Sequence, residues 1–523
     1  MHLTSITVAL SLLAIGHAAN ADVQSPVLSF APYVFETEHH GAIDAEKAYL
    51  SVPVLHQMPQ GRRFDLRVVR LKARHPNGEP PVVYLAGGPG GSGVGTARGR
   101  RWPVFDAVRQ NVDVLLFDQR GTGESSPPPV CTHKIEPQWQ QPTQEADALR
   151  EVRTTIAACI DEWRAGGVAL EAYTTVESAA DLAQLRAALG VEQLQLWGMS
   201  YGTHLSLAAL RLYPKDFKRA VLMGVEGPDH TLKLPLAADA LMKTLAAAAA
   251  PAFPQLWDDT EAVLQRLEQQ SQSARSWMLG GTEVHISAFD AKLAVAAMLG
   301  RSDTQALLPL AMQQARAGDY GLLVDLVVAV RQQRTHWHAM PLVMDYASGA
   351  TPARRARVAA EKAKSILGDA LNFPWSELTD LPLPDLGDEF RTPVVLQQPL
   401  LLISGTHDGR TPVANASELL PLLPNAEHLV LGGAAHDDDL WLTHDQIAPR
   451  IAAFFSGQDA VSETLPVRTP RLPQSTADVL LDLFGIKAWQ AATAIGLTLI
   501  ALWLTIRWLL ARWRRHRKTR APA

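Results

Sequence analysis

The fold is decided by one stretch, Leu194-Gln195-Leu196-Trp197-Gly198-Met199-Ser200-Tyr201-Gly202. It places a short apolar run, typical of a buried strand, directly before a serine with a glycine two positions away on each side. A helical pattern, Thr203–Leu212, follows at once. In such a strand–turn–helix unit the sharp turn lifts the serine hydroxyl above the sheet, and backbone crowding at the turn requires the glycines. The stretch therefore predicts an α/β sheet with Ser200 as a candidate nucleophile. The alternative is a surface turn that contains Gly and Ser.

Five further apolar runs of four to six residues surround this motif: Val82–Leu85, Val112–Phe117, Ala220–Met223, Leu400–Ile403 and His428–Leu431. They are short and continuous, as strands buried in a parallel sheet are. Helical patterns between them indicate a doubly wound, mostly parallel α/β sheet. Ser51–Val54 and Phe64–Leu71 predict a leading antiparallel hairpin region. Residues 228–393 break the alternation and predict a bundle of helices inserted between strands.

A glycine-rich loop, Gly87-Gly88-Pro89-Gly90-Gly91-Ser92-Gly93, follows the first of these runs. In sites built on the G-x-S-x-G turn, this loop supplies one backbone N–H donor for a developing oxyanion, and the residue after the nucleophile supplies the other. Those residues would be Gly88 and Tyr201. The competing interpretation is a phosphate-binding loop, but the glycines are not followed by the Lys-Ser/Thr pair that such a loop needs.

The last two apolar runs are followed by residues that would complete a catalytic triad. Asp408 comes after one and His436 after the other, so both are expected at the carboxyl edge of the sheet. The chain order Ser, Asp, His is the one that this turn requires. His436 would take the Ser200 proton and return it to the leaving group, while Asp408 would fix the imidazole tautomer. His407 is the nearest alternative among the 17 histidines.

Together these motifs resemble the prolyl-aminopeptidase and tripeptidyl-aminopeptidase family of α/β-hydrolases, the secreted tripeptidyl branch in particular. The matching segments are Gly87–Gly93, Asp118–Ser125, Gly198–Thr203, Gly405–Pro412 and Gly432–Asp437. The resemblance implies an α/β-hydrolase fold with a helical cap, and Asp408 as the acid of the triad. It also implies a serine exopeptidase that cleaves near the free N-terminus of short peptides through an acyl-enzyme on Ser200. Iminopeptidases carry His before the first two glycines, where this chain has Ala86, which favours the tripeptidyl branch over strict proline specificity.

An aminopeptidase of this family must hold the substrate ammonium, whose desolvation is costly unless a carboxylate meets it. The resemblance implies acidic residues in or near the cap, and Glu226 and Asp345 are the candidates. For each, the alternative is an ordinary structural carboxylate. Asp118 and Arg120, from the second matching segment, are predicted to form a buried structural pair that shapes the pocket.

Composition limits the other functions. The formal charge of −5 over 523 residues argues against a nucleic-acid partner. Two cysteines are too few for a zinc site built on cysteine alone, and we predict neither a metal nor a cofactor. Cys131 and Cys159 would form a disulfide in an oxidising compartment; the alternative is two buried free thiols. An exported esterase or lipase-like enzyme with the same triad, and a catalytically inactive binding protein on the same fold, remain alternatives.

Both ends of the chain predict export. The apolar run Ile6–Ile15 precedes Ala19-Asn20-Ala21, which matches a signal-peptide cleavage site; the alternative is an uncleaved anchor. Ala488–Ile506 is a 19-residue run without formal charge. As a helix of about 29 Å it indicates a membrane span rather than an amphipathic surface helix. The arginine-rich tail that follows is expected to be cytoplasmic, which would anchor the chain to the cytoplasmic membrane with its catalytic domain on the periplasmic or outer side.

The predicted organisation is a signal peptide over residues 1–21, the first part of the α/β core over 22–227, a helical cap insertion over 228–393, the second part of the core over 394–456, a linker over 457–487, a transmembrane helix over 488–510 and a basic cytoplasmic tail over 511–523.

Overall fold

The computed structural model describes residues 28–333, 335–466 and 471–483. The strands in this part of the chain are β1 (Ala31–Thr37), β2 (Gly41–Pro53), β3 (Arg63–Leu71), β4 (Val82–Leu85), β5 (Val114–Phe117), β6 (Leu194–Met199), β7 (Phe217–Met223), β8 (Gln272–Ser276), β9 (Thr282–Ile286), β10 (Leu400–Gly405), β11 (Ala426–Leu431) and β12 (Glu463–Leu465).

The helices are α1 (Gly93–Arg98), α2 (Trp102–Val108), α3 (Glu145–Ala165), α4 (Thr175–Leu189), α5 (Tyr201–Leu212), α6 (Pro235–Ala249), α7 (Leu256–Gln269), α8 (Ala288–Met298), α9 (Ser302–Gln305), α10 (Leu308–Arg316), α11 (Gly321–Gln333), α12 (Ala339–Ser348), α13 (Pro352–Lys362), α14 (Gly387–Arg391), α15 (Val413–Leu419), α16 (Asp439–Leu442), α17 (Ile447–Phe455) and α18 (Thr476–Leu483).

Ten of the strands form one sheet in the order β1-β2-β3-β5-β4-β6-β7-β10-β11-β12. The first three strands and β5 pair antiparallel, and from β5 to β12 every pairing is parallel. The chain leaves β4 towards β5 on one side and later returns to β6 on the other. Open α/β sheets bind ligands at such a reversal, outside the carboxyl ends of the strands. The glycine-rich loop and Ser200 follow β4 and β6, so both lie at this point.

The sheet is covered on both faces, which explains why its central strands are apolar throughout. Alternate residues of each strand point to opposite faces. On one face, residues such as Leu196 and Leu222 pack against α3, α4 and α5. On the other, Trp197 packs with Tyr84, Phe105 and Trp441 from β4, α2 and α16, with the two tryptophan ring centroids 5.0 Å apart. Two buried faces fix the register of the strands that carry the site.

The helical insertion, predicted where the alternation of strands and helices stops, lies between β7 and β10. It comprises α6 to α14 and the β8–β9 hairpin, which forms a separate two-stranded sheet. Its helices share a core of their own that includes Met242, Leu264, Val295 and Val324. Because α12 also contributes Met340 and Val343 to the core of the sheet, the insertion is packed onto the carboxyl edge rather than tethered beside it.

Cys131 and Cys159 are joined by a disulfide, with Cα atoms 5.4 Å apart. The bridge ties the segment after β5 to the middle of α3. The stretch predicted as a linker, 457–487, differs from a plain spacer: β12 adds to the edge of the sheet beside β11, and α18 follows. A three-residue edge strand leaves too little apolar pattern to be seen in the sequence.

The fold prediction needs one correction, the C-terminal transmembrane helix. Within residues 28–333, 335–466 and 471–483, no helix combines the length and the apolar character needed to cross a membrane. The longest, α3, has 21 residues but carries acidic and basic side chains along its length. The predicted span over 488–510, like the predicted signal peptide over 1–21 and the basic tail over 511–523, lies outside the described residues.

Candidate active site

Ser200 sits on the sharp turn between β6 and α5. Its backbone has φ 54° and ψ −123°, a conformation that non-glycine residues rarely adopt and that clusters at functional sites. A Cβ at Gly198 would lie 2.4 Å from the Gly202 carbonyl oxygen, and a Cβ at Gly202 would lie 2.1 Å from that of Leu85. The two glycines are therefore required because the turn is packed against itself and against β4.

Asp408 and His436 meet in the loops after β10 and β11. His436 Nδ1 lies 2.8 Å from Asp408 Oδ2, which also accepts a hydrogen bond of 2.7 Å from the Thr411 hydroxyl. The backbone N–H groups of Arg410 and Thr411 both donate to Asp408 Oδ1 at 2.7 Å. Burial raises the pKa of the Asp408 carboxyl, but His436 and these hydrogen bonds outweigh burial and hold that pKa below its ordinary value. Asp408 is thus an anion that orients the imidazole through Nδ1 and leaves Nε2 for other partners.

Ser200 and His436 line the same cavity of about 490 Å³, at the point of the sheet where the strand order reverses. The described residues contain no hydrogen bond between the Ser200 hydroxyl and the His436 imidazole. In structures without substrate this bond is often long and shortens when substrate binds, so its absence leaves His436 as the candidate base. His407, the alternative histidine, is buried and has no hydrogen bond to Asp408 or Ser200 within the described structure.

Gly224, directly after β7, makes room for the imidazole. It has φ +64°, and a Cβ there would lie 2.9 Å from both His436 Cε1 and Thr411 Oγ1. Sequence patterns did not single out this glycine, because its contacts come from residues about 200 positions further along the chain.

Gly224→Ala is expected to lower kcat/KM by about 100-fold, since displacing a catalytic group by about 1 Å costs that much. The added methyl group must push the His436 ring or the Thr411 hydroxyl from its place. The measurement is steady-state kinetics on a short peptide, together with thermal unfolding.

Gly190→Ala is the matched control for this substitution. Gly190 has nearly the same φ, +68°, but no atom of the described residues lies within 4 Å of an added Cβ. Both variants bear the cost of a non-glycine residue in the left-handed region, so both should unfold at lower temperature. Equal losses of kcat/KM in the two variants would contradict a specific contact between residue 224 and the imidazole.

The predicted oxyanion donors lie on either side of Ser200. A Cβ at Gly87 would lie 2.8 Å from Ser200 Cβ, so the glycine-rich loop touches the nucleophile, and Gly88 lines the cavity with φ +123°. Tyr201 is the first residue of α5, where a backbone N–H has no acceptor within the helix. The Tyr201 hydroxyl is buried and lies 3.0 Å from Thr175 Oγ1, and burial raises its pKa, so the role predicted for Tyr201 rests on its backbone N–H alone.

Glu226 and Asp345 both line the cavity, from the loop after β7 and from α12. Burial raises the pKa of Glu226, but Lys233, whose Nζ lies 3.3 Å from Glu226 Oε2, together with His204 and His230 outweighs burial and holds that pKa below its usual value. Asp345 differs: no described side chain hydrogen-bonds to or pairs with its carboxyl group. Burial, with the charge of Glu226 nearby, raises the pKa of Asp345 to about 8. The cavity thus contains one neutralised carboxylate and one that lacks a cation.

The predicted pair of Asp118 and Arg120 is wrong. Both are buried, but Arg120 pairs with Asp181, with Nη2 2.6 Å from Oδ1. Asp118 instead accepts hydrogen bonds from the Ser92 hydroxyl at 2.6 Å and the Val94 N–H at 3.2 Å. Asp118 therefore holds the end of the glycine-rich loop, while Arg120 holds α4.

Sequence reasoning also missed Thr411, Lys233 and Arg410 as parts of the site. The only sequence signal for Thr411 is its position three residues after Asp408, the spacing at which a side chain closes a turn on an aspartate. Within the described residues, no group of three or more His, Cys, Asp or Glu side chains is arranged to hold a metal ion.

Comparison with known proteins places the chain among related sequences. A family model described as alpha/beta hydrolase fold matches residues 80–441. The chain is 32% identical over 202 residues to a tripeptidyl aminopeptidase of Streptomyces lividans, an alignment covering 35% of each. It is 30% identical over 190 residues to serine protease Hip1 of Mycobacterium tuberculosis, covering 34% of the chain and 36% of the relative. For a proline iminopeptidase of Xylella fastidiosa the values are 30% over 151 residues, covering 29% and 34%. The chain therefore spans about a third of the length of the curated relatives that it matches.

Proposed function

Because the chain belongs to the alpha/beta hydrolase fold family, we propose that it is a serine peptidase that cleaves short peptides near their free N-terminus. The observation that carries this proposal is the carboxyl group of Asp345, which has no partner among the described residues and lies with Glu226 on the wall of the cavity that also contains Ser200 and His436. A cavity for a neutral ester has no use for a second, unpaired carboxyl group on its wall. The names of the related aminopeptidases support the same substrate class.

In the proposed reaction, Ser200 Oγ attacks the carbonyl carbon of the scissile bond while His436 Nε2 takes the hydroxyl proton. The N–H groups of Gly88 and Tyr201 stabilise the oxyanion. His436 then protonates the leaving amine, the C–N bond breaks, and an acyl-enzyme remains on Ser200. Water, deprotonated by the same imidazole, attacks the ester; the bond from Ser200 Oγ to the acyl carbon breaks, the imidazolium returns the proton to Oγ, and the N-terminal fragment leaves as a carboxylate or carboxylic acid. Asp408 stays ionised throughout and stabilises the imidazolium.

The carboxyl groups of Glu226 and Asp345 on the cavity wall explain how a charged amine would be accommodated. The Glu226–Lys233 pair has no net charge, so the Asp345 carboxylate is the group that an ammonium would neutralise. A buried carboxylate without a cation is costly, and the raised pKa of Asp345 reflects that cost. Binding a substrate ammonium would supply the missing charge and ionise Asp345. Charge complementarity of this kind rejects N-acylated peptides, which offer no cation.

The test compares one chromogenic peptide amide in free-amine and N-acetylated forms across pH 6 to 10. The ratio of their kcat/KM values removes the titration of the triad, which both substrates share. Below about pH 8 Asp345 is neutral, so the ratio should rise as pH increases towards 8. Above that, the substrate amine loses its proton near pH 8, so the ratio should fall again. A ratio near one at every pH would reject the aminopeptidase and favour the esterase or a general amidase.

Asp345→Asn should flatten this profile and reduce the free-amine preference by about tenfold or more, as expected for losing a charge-assisted contact. The stability of the same variant relative to wild type, measured by thermal unfolding, should increase as the pH rises. The raised pKa of Asp345 means that the neutral carboxyl favours folding below about pH 4, and this contribution is lost as pH rises to about 8. Asp319→Asn, on an exposed turn, is the matched control and should change neither property.

A further inference from the structure

The wall of the catalytic cavity carries a cation that the reaction described above does not use. Arg410 lines the cavity together with Ser200 and His436. Its guanidinium makes a single described hydrogen bond, from Nη2 to the Ala297 carbonyl oxygen at 3.2 Å. No described carboxylate oxygen lies within 4.0 Å of it. Burial lowers the pKa of Arg410, which is the mark of a charge without a close counterion.

The other cations of this wall are already neutralised. Arg101 pairs with Asp437 and Asp438, and Lys233 pairs with Glu226. The acid nearest to Arg410, Asp408, is committed to His436 and Thr411. Arg410 is therefore the cation on the described wall that is free to meet an anion from outside.

The side chain of Arg410 is also held in place. A Cβ at Gly300, between α8 and α9, would lie 2.9 Å from Arg410 Nε, so the glycine leaves room for the guanidinium. The Arg410 backbone N–H donates to Asp408 Oδ1 at 2.7 Å, so the residue belongs to the loop that orients His436. A guanidinium fixed in this way can bind a carboxylate with little loss of side-chain entropy.

The position relative to the chemistry indicates which part of a substrate would meet this cation. The acidic residues Glu226 and Asp345 lie on other elements and would hold the amine of the acyl fragment. The imidazole of His436 protonates the leaving amine, so the fragment after the scissile bond lies on the His436 side. Arg410 belongs to the loop on that side.

We propose that Arg410 binds a carboxylate on the leaving fragment, and that the enzyme therefore prefers short peptides that carry an anion just after the cleaved bond. This inference rests on the proposed function and names its substrates more closely. The carboxylate has two possible sources, the free C-terminus of a very short peptide or the side chain of an Asp or Glu after the cleaved bond.

The test uses one set of short alanine peptides whose cleavage point is first mapped by mass spectrometry. Each peptide is made with a free C-terminal carboxylate, with a C-terminal amide, and as an amide with aspartate directly after the cleaved bond. Wild-type enzyme should favour at least one of the two carboxylate forms over the plain amide by about tenfold in kcat/KM. In Arg410→Gln this preference should fall to about twofold or less, and Arg410→Lys should restore part of it.

The two arms distinguish the sources, since preference for the free acid indicates the C-terminus and preference for the amidated aspartate peptide indicates a side chain. Arg150→Gln, which removes an exposed arginine on α3, is the matched control and should keep the wild-type preference. A wild-type enzyme without any carboxylate preference overturns the inference even if the variants fail to fold. So does a preference that persists in Arg410→Gln. Every peptide is also assayed with its N-terminus acetylated, so failure of the proposed function appears separately, as equal cleavage of the acetylated forms.

Discussion

Ser200→Ala should lower kcat by at least about 10⁴-fold, because it removes the hydroxyl that attacks the carbonyl in the proposed reaction. The alanine fits the turn between β6 and α5, whose tight contacts involve the backbone of Gly198 and Gly202 rather than the serine hydroxyl. KM should change little, since the substitution does not alter Glu226 and Asp345, the residues proposed to bind the amine. The measurement is single-turnover and steady-state kinetics on a free-amine peptide.

A fluorophosphonate probe provides the second readout. Wild-type enzyme should be labelled on Ser200, and labelling should disappear in Ser200→Ala. Ser417→Ala, which removes an exposed hydroxyl on α15, is the matched control and should keep both activity and labelling. Labelling that survives in Ser200→Ala would mean that a different nucleophile carries the reaction, and an inactive but folded wild type would favour the binding-protein alternative.

Asp408→Asn should lower kcat by about 10⁴-fold with the fold retained, because the imidazole would be held in the wrong tautomer. The Arg410 and Thr411 N–H groups donate to Oδ1, so the asparagine oxygen is expected to take that position. Its amide nitrogen then faces His436 Nδ1, which must become an acceptor. The proton moves to Nε2, and the imidazole can no longer accept the proton of Ser200.

Steady-state kinetics and the pH profile of the variant check this expectation. Asp147→Asn, at an exposed carboxylate on α3, controls for the loss of one negative charge and should leave kcat unchanged. If Asp408→Asn kept kcat within tenfold of wild type, the 2.8 Å contact between Asp408 and His436 would not be the one that orients the base.

The parts of this fold that could be predicted from sequence are those in which local pattern and burial agree. The central strands β4, β6 and β10 are continuous apolar runs because both faces of the sheet are covered, so their positions were evident. The edge strands β1 and β12 were not, because an edge strand is partly exposed and its pattern is mixed. β7 begins three residues before the predicted run, at Phe217, because Lys218 and Arg219 interrupt the apolar pattern near its start.

The residues of the site could likewise be predicted only where their sequence signal is local. Ser200 and the glycine-rich loop have local signatures, because a strained turn restricts its own neighbours. Partnerships between distant residues have none: Arg120 was paired with Asp118, two positions away, yet its partner Asp181 lies 61 positions further along. The same reason hid the contact between Gly224 and His436. The neutralisation of Glu226 by Lys233 also depends on how the chain is folded between them. The sequence alone therefore predicted Glu226 and Asp345 as equivalent candidates for binding the substrate ammonium.

The helical insertion has a consequence for what the enzyme spares. Leu371, Asn372 and Trp375 from the insertion form part of the wall around Ser200, so the nucleophile lies beneath a roof rather than on an open surface. A loop of an intact protein has two continuing ends and fits beneath such a roof less readily than a loose chain terminus does. Under the proposed function, we therefore expect short peptides to be cleaved and intact native proteins to be spared.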